Sequence, residues 1–243
     1  MARLSADATP VGGFDLSVVI PARNEAQHIG AALRSIARQD WPLERLEVVV
    51  VDNGSQDETV AVVRAFALAH PALAVQVLHE PVPGVARAKN RGVTAARGHW
   101  ILFMDADSRM RRDLVEQVMG WTARGYQGGS ICIVADSRDL LDRAFFGLME
   151  FGKEHFGIQA QMFYVARALF LQLHGFAEAM HLAEDRDFLQ RLQRTGAPLC
   201  QVRESWIATS PRRLRRLPLR LNMALMLWRW ALANWGIGRD WRY

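Results

Sequence analysis

The chain is poor in the residues that hold metals and staples together. Its two cysteines, Cys132 and Cys200, lie far apart and neither belongs to a CxxC pair. That excludes a thiolate zinc site and a disulfide framework, and the expectation is two buried thiols in a reducing compartment. The seven histidines, at positions 28, 70, 79, 99, 155, 174 and 181, show no H-x-x-x-H spacing. A histidine-built metal centre is excluded with the zinc site. No G-x-G-x-x-G follows any expected strand, which argues against a dinucleotide oxidoreductase. Long uncharged apolar runs are missing too. The most apolar stretch, "LPLRLNMALMLWRWALANWG" at 217–236, is interrupted at Arg220 and Arg229, short of the about 20 residues that span a bilayer. The opening "MARLSADATPVGGF" has no apolar segment of signal-peptide length, so cytoplasmic residence is expected.

What is present is a globular composition: half of the residues are hydrophobic, ample for a sizeable core. Charge is divided unevenly. Residues 210–243 hold eight arginines against one acid, so this stretch carries +7 and the preceding 209 residues −2. The arginines are interleaved with Trp228, Trp230 and Trp235, which suits an anionic lipid interface better than nucleic acid. An amphipathic helix over 217–236 is therefore expected either to lie on a membrane or to dock on the protein itself.

Strand and helix signals alternate through the first half. "LSVVIP" (16–21) reads as a strand, "AQHIGAALRSIARQ" (26–39) as a helix and "LEVVVVD" (46–52) as a strand buried on both faces. Ser55 and Glu58 form an S-x-x-E pattern expected to cap the following helix. A strand at 74–80, a helix at 85–97 and a strand at 100–105 continue the series. In the second half, strands are expected at 130–135, 160–167 and 199–208 and helices at 140–152 and 184–196. This order predicts an α/β fold with an open, mostly parallel twisted sheet flanked by helices, and a C-terminal amphipathic appendage. The expected organisation is an N-terminal extension (1–15), one domain (16–210) with a nucleotide-binding half (16–110) and an acceptor half (111–210), and a basic tail (211–243).

Ligands of such sheets bind beyond the carboxyl ends of the strands. Three polar segments fall there: Pro21-Ala22-Arg23-Asn24-Glu25, Asp52-Asn53-Gly54 and Asp105-Ala106-Asp107. Two carboxylates one residue apart repel each other unless a cation lies between them, and Mg²⁺ or Mn²⁺ held by carboxylates plus substrate phosphates is the chemistry that fits. Asp52 can accept a hydrogen bond from a nucleobase, and Lys89 is placed to reach a phosphate. Glu184, Asp185 and Asp187 open a helix. Acids are favoured there by the helix dipole, and one could equally serve as a general base. Spacing does not choose among the three. His181, three residues before Glu184, could stand near an acceptor.

These segments carry a resemblance. "VVIPARNEAQHIGAALRSI", "LEVVVVDNGSQDETV", "PGVARAKNRGVTAARGHWILFMDADS" and "HGF" followed by "AEDRDFLQRLQRTG" resemble, in order, the successive motifs of family 2 glycosyltransferases, inverting enzymes of the GT-A fold. The resemblance implies that Pro21, Arg23, Glu25, Asp52, Lys89 and Asp105 bind a UDP- or GDP-linked sugar, that Asp107 with Asp105 binds the metal, and that Asp185 is the catalytic base. It implies one inverting displacement by an acceptor hydroxyl. Apart from the resemblance, Glu184 and His181 are expected in the acceptor region by their positions, and the basic, Trp-rich tail points to a lipid-linked acceptor. Three positions depart from the family pattern: Asn53 where a second aspartate is frequent, Lys89 for arginine, and His174 where a glycine is usual. "MLWRW" (226–230) partly echoes the Q-x-x-R-W motif of processive synthases, but Met226 replaces the glutamine, so one sugar per encounter is expected. The competing readings are a nucleotidyltransferase, against which "VIPARNEAQH" lacks a glycine-rich basic loop, and an inactive membrane-associated scaffold, which would not need Asp52, Asp105, Asp107 and Asp185.

Overall fold

The computed structural model describes residues 13–156, 162–180 and 184–213. The expected C-terminal helix, the first twelve residues of the N-terminal extension and His181 lie outside the described residues.

The valine-rich stretch at 46–52 shows why the sheet is an inner layer. A strand's side chains alternate between faces, and both sets are apolar here, so both faces must be covered. It forms β2 (Leu46–Asp52), buried at every residue. Val48 and Val50 enter one core with α1 (Ile29–Ile36) and α2 (Thr59–Ala69), while Val49 and Val51 enter the opposite core with α3 (Val85–Ala95). β1 (Leu16–Ala22) lies parallel between β2 and β4 (Trp100–Phe103), and β3 (Ala74–His79) extends the parallel set beyond β2. Strands joined through helices can pair in parallel because the crossover returns the chain to the same edge.

Beyond β4 the direction changes. β7 (Phe163–Ala166) is antiparallel to both β4 and β6 (Gly128–Ala135), β8 (Leu199–Thr209) is parallel to β6, and β5 (Ser108–Met110) closes the edge antiparallel to β8. The order is β3-β2-β1-β4-β7-β6-β8-β5 in one eight-stranded sheet. The mostly parallel α/β layer agrees with the sequence expectation. β5, α4 (Leu114–Ala123) and α6 (Arg167–Gln172) were not expected. A three-residue edge strand leaves no periodic trace, whereas the buried Leu114, Val115 and Val118 give α4 a legible apolar face. α5 (Leu140–Phe156) and α7 (Glu184–Arg194) lie where helices were expected.

Two local expectations are corrected. Ser55 does not cap α2, because its hydroxyl instead accepts the Asn24 N–H (3.0 Å). The start of α2 is held by Asp57, which accepts the Thr59 N–H (3.0 Å). Nor are the two thiols fully buried. Both cysteines are free and half-buried, with Cys200 Sγ 3.0 Å from the Tyr164 hydroxyl.

Helix α3 approaches the sheet closely at Gly92. A Cβ there would stand 2.4 Å from Val19 Cγ1 and 3.2 Å from Val51 Cγ2. Alanine would gain up to about 1 kcal/mol of helix propensity, but overpacking a buried contact costs about 1–3 kcal/mol. Gly92→Ala is therefore expected to lower the urea midpoint, and a raised midpoint would show that the helix can move away freely.

Candidate active site

The carboxyl ends of β1, β2 and β4 lie side by side, and hydrogen bonds join their loops. Ala22 is in register with Asp52, and the Asn53 N–H donates to the Ala22 carbonyl (2.9 Å). Asn24 adopts a left-handed conformation (φ 55°), which asparagine tolerates. There its side-chain oxygen accepts the Gln56 N–H (2.7 Å). The Glu25 N–H donates to Thr59 Oγ1 (2.7 Å) and the Ala26 N–H to Asp57 (3.1 Å). Pro21 is half-buried and Arg23 exposed at the tip of this loop.

Asp52 is buried at the end of β2. Its oxygens accept the Ser55 N–H (3.1 Å) and face His79 Nδ1 (3.1 Å). Burial alone would raise this carboxyl, yet the bonds from Ser55 and the neighbouring His79 hold it below the ordinary value of 3.8. Asn53 answers its departure from the family pattern. Its amide nitrogen donates to the carbonyls of Glu80 (3.0 Å) and Val82 (2.8 Å), and its oxygen accepts the Gly84 N–H (2.8 Å). An aspartate could not donate those two bonds. Asn53 thus ties the end of β2 to the entry of α3.

A second group is built on Lys89, one turn into α3 and 4% exposed. Its ammonium donates to Asp185 Oδ1 (2.6 Å) and Glu184 Oε1 (3.1 Å), and stands 5.1 Å from the centre of the Phe176 ring. The expectation that Lys89 offers a cation to a phosphate is corrected to this extent: the cation is committed to two carboxylates of α7. Burial works against the charged lysine, but Asp185, Glu184 and Asp105 together hold its proton more tightly than usual. For Asp185 burial acts in the opposite sense to its partner. Desolvation raises the carboxyl, Lys89 lowers it, and Glu184 and Asp105 raise it, leaving it well above the ordinary 3.8 because one cation is shared among three carboxylates. Such a carboxylate is a stronger base near neutral pH than an exposed aspartate.

Packing explains why α7 enters here. Phe188, one turn beyond Glu184, is stacked on Phe163 (5.7 Å) and lies 4.8 Å from Phe170 and 5.2 Å from Phe176. With Phe103 this forms an apolar cluster beneath α3 and α7. The loop before α7 is held by Asn90, the residue next to Lys89. Asn90 donates to the Phe176 carbonyl (2.9 Å) and accepts the Phe176 N–H (2.9 Å). His174 takes the left-handed conformation (φ 59°) at the position where glycine is usual. Arg191 donates to the Leu173 (2.6 Å) and Gly175 (2.7 Å) carbonyls while pairing with Asp187 (2.9 Å). The three acids at the start of α7 are thereby separated: Glu184 and Asp185 face Lys89, and Asp187 serves Arg191.

A third group was not foreseen. Arg212, assigned by sequence to the basic tail, follows β8 and returns to the site. Its guanidinium pairs with Glu25 and places Nε 2.9 Å from Asp107 Oδ2. Glu25 retains a buried oxygen, Oε2, without a hydrogen-bond partner. No local signal marks Arg212 among eight tail arginines, since its partner Glu25 is 187 residues away.

No cluster of three or more His, Cys, Asp or Glu suited to a metal occurs among the described residues. The donor chemistry nevertheless fits a hard cation, since Asp105 and Asp107 share one turn and the orphaned Glu25 oxygen and a guanidinium mark this spot as one that demands positive charge. The protein would supply two carboxylates, and phosphate and water the rest.

An open α/β sheet with convergent acidic loops defines the GT-A class of nucleotide-sugar folds, and solved structures agree. TarS of Staphylococcus aureus in complex with UDP-GlcNAc superposes with a TM-score of 0.69 at 20% identity, covering 81% of this chain and 58% of that one. The mannosyltransferase PcManGT of Pyrobaculum calidifontis, in complex with GDP-Man and Mn²⁺, gives 0.63 at 27% identity over 80% and 57%. The Glycosyl transferase family 2 profile matches residues 17–169, more than half of the chain, and the chain belongs to that family. Among curated relatives, the glycosyltransferase AglE of Haloferax volcanii is 34% identical over 42% of this chain and 33% of its own length. The PGL/p-HBAD biosynthesis glycosyltransferase of Mycobacterium bovis is 42% identical over 39% of this chain and 36% of its own. The match thus spans about a third of the length of each of these two relatives.

Proposed function

We propose that the chain is an inverting glycosyltransferase that moves one sugar per encounter from a UDP- or GDP-linked donor to an acceptor hydroxyl in a single displacement. The observation that carries this reading is the buried Lys89–Asp185–Glu184 group, set beside Asp105 at the carboxyl edge of β4. Asp185 takes the proton of the attacking hydroxyl as that oxygen bonds to the anomeric carbon and the carbon–diphosphate bond breaks. Lys89 keeps the base in place, and Asn90 and Arg191 fix the loop that leads to it.

Asp52, with the turn from Pro21 to Glu25, holds the nucleoside. Arg23 supplies positive charge along the diphosphate, and Arg212 neutralises Glu25 and Asp107 beside it. Asp105 and Asp107 would hold a Mg²⁺ or Mn²⁺ ion, which would offset the negative charge that builds on the departing diphosphate. The family match, together with nucleotide-sugar complexes of two proteins of the same fold, supports this reading over a nucleotidyltransferase or a scaffold. A lipid-linked acceptor, with the basic tail beyond Arg213 on an anionic membrane surface, is the acceptor class in keeping with the tail's composition.

Calorimetry with UDP and GDP, with and without Mn²⁺, tests the donor site. At least one nucleotide should bind more tightly with the metal, and Asp107→Ala should abolish that increment while leaving metal-free binding within about twofold. If neither nucleotide shows a metal-dependent increment in the wild type, the donor-site assignment fails.

A further inference from the structure

Arg212 reaches the candidate metal turn by a route that the backbone fixes. Ser108, next to Asp107, opens β5 and is paired in register with Thr209 at the end of β8, and its hydroxyl donates to Thr209 Oγ1 (2.9 Å). The Thr209 carbonyl accepts the Asp136 N–H (2.8 Å), so the last residue of β8 is held from both neighbouring strands. The chain then enters a short 3₁₀ turn at Pro211–Arg213. Three residues beyond Thr209 the Arg212 side chain meets Asp107. Its backbone is anchored beside that turn, so the side chain alone spans the gap and the side chain alone has to move to leave it.

The guanidinium joins two loops. It pairs with Asp107 through Nε (2.9 Å) and with Glu25 through Nη2, linking the turn after β4 to the loop after β1. The two carboxylates are shielded, with side chains 6% and 11% exposed, whereas that of Arg212 is 33% exposed. Shielded carboxylates that lose their counter-ion destabilise the fold, while a guanidinium at the surface can turn back into water. The arginine is thus the exchangeable member of the group, and the carboxylates are the fixed one.

Two features point to what replaces it. Arg212 leaves Glu25 Oε2 buried and without a hydrogen-bond partner, so it neutralises this carboxylate without satisfying it. A hard divalent cation, which keeps several of its own waters, can do both. A guanidinium on Asp107 and a doubly charged ion on the same carboxylate would also repel each other at close range. The two cations exclude one another.

We propose, on the reading that Asp105 and Asp107 hold a divalent cation, that Arg212 is a resident counter-ion which the metal must displace. Arg212 and the metal are alternative partners of Asp107 and Glu25, and loading the donor site releases the arginine. A metal that binds only the arginine-released state has its affinity reduced by the fraction of molecules in that state. Removing the arginine restores the full affinity.

The test is calorimetry of the full chain with Mn²⁺ alone, without nucleotide. Arg212→Gln should bind Mn²⁺ about tenfold more tightly than wild type, and adding Asp107→Ala to it should abolish the gain. Arg212→Lys, whose point charge cannot bridge two carboxylates as a guanidinium does, should bind about threefold more tightly, and it decides alone if Arg212→Gln does not fold. An Arg212→Gln variant that melts lower than wild type but binds Mn²⁺ no more tightly marks a fixed structural pair and overturns the proposal. A gain that survives Asp107→Ala also overturns it, because the metal has then bound elsewhere. The donor-site reading is judged separately, by UDP and GDP binding to the wild type with and without Mn²⁺. A metal-dependent increment there, with no gain in Arg212→Gln, sinks the displacement and leaves that reading standing; no increment and no Mn²⁺ binding by either protein sinks both.

Discussion

Asp185→Asn is expected to slow sugar transfer by about 10²–10⁴-fold, the range that a positioned general base contributes, while nucleotide affinity stays within about twofold. Asparagine has nearly the same shape and can still accept the hydrogen bond from Lys89, so the α3–α7 contact survives and only the proton acceptor is lost. The change also removes one of three carboxylates that share a single cation, so unfolding should not become easier. The pH profile gives a second readout. Desolvation, Glu184 and Asp105 raise the Asp185 carboxyl above 3.8. A base must be unprotonated to work, so wild-type kcat/KM should fall as pH drops through that raised value, well before an ordinary aspartate would titrate. Steady-state kinetics between pH 5 and 8, on a donor selected by thermal-shift screening, would measure both effects. Activity of Asp185→Asn equal to wild type would remove Asp185 from its role.

The resemblance alone singled out Asp185; why Glu184 and Asp185 rather than Asp187 face Lys89 could not be read from spacing, as a matter of distance along the chain. Helix-dipole preference accounts for Glu184, Asp185 and Asp187 equally. What separates them is Lys89, 95 and 96 residues earlier for Glu184 and Asp185, together with an aromatic cluster that sets the helix's rotation. Asp187 is explained locally by Arg191 four residues on. Features set within a few residues were legible: the doubly buried run of β2, the parallel order of β1 to β4, and acids at strand ends. Features set by long-range pairing were not. Arg212 is identified by Glu25 and Asp107 rather than by its own surroundings, and counting it with the tail's arginines concealed its return to the site. Asn53 and His174 looked like departures from a pattern. The first proves to be a donor that organises a loop, and the second a non-glycine residue held at positive φ by a turn that Arg191 ties down.

The same reasoning assigns Lys89 two duties, stability and basicity, and a single substitution separates them. Lys89→Met fills the space but leaves Glu184 and Asp185 buried without their cation, and breaking a buried ion pair from one side costs about 3–5 kcal/mol, a large part of a typical domain's stability. The loss should depend on pH in a definite direction. Wild-type Lys89 has its proton held more tightly in the folded state, so its contribution is intact below the ordinary lysine value of 10.5 and does not vary across the neutral range. The acids differ. For Asp185, already raised, loss of the ammonium removes the charge that lowered it, and an acid whose folded value is raised destabilises the native state progressively as pH increases above its unfolded value. The gap between wild type and Lys89→Met should therefore be widest near pH 8 and narrow as the pH approaches 4, where protonated carboxyls need no partner. Lys89→Arg retains the cation and should recover most of the stability. Urea unfolding at several pH values tests this directly. A gap that stays constant from pH 8 to 5, or a fully stable Lys89→Met at pH 8, would mean that water rather than Lys89 satisfies the α7 carboxylates. In the surviving fraction, the acid limb of kcat/KM should move to higher pH, because the base has lost the charge that favoured its ionised form.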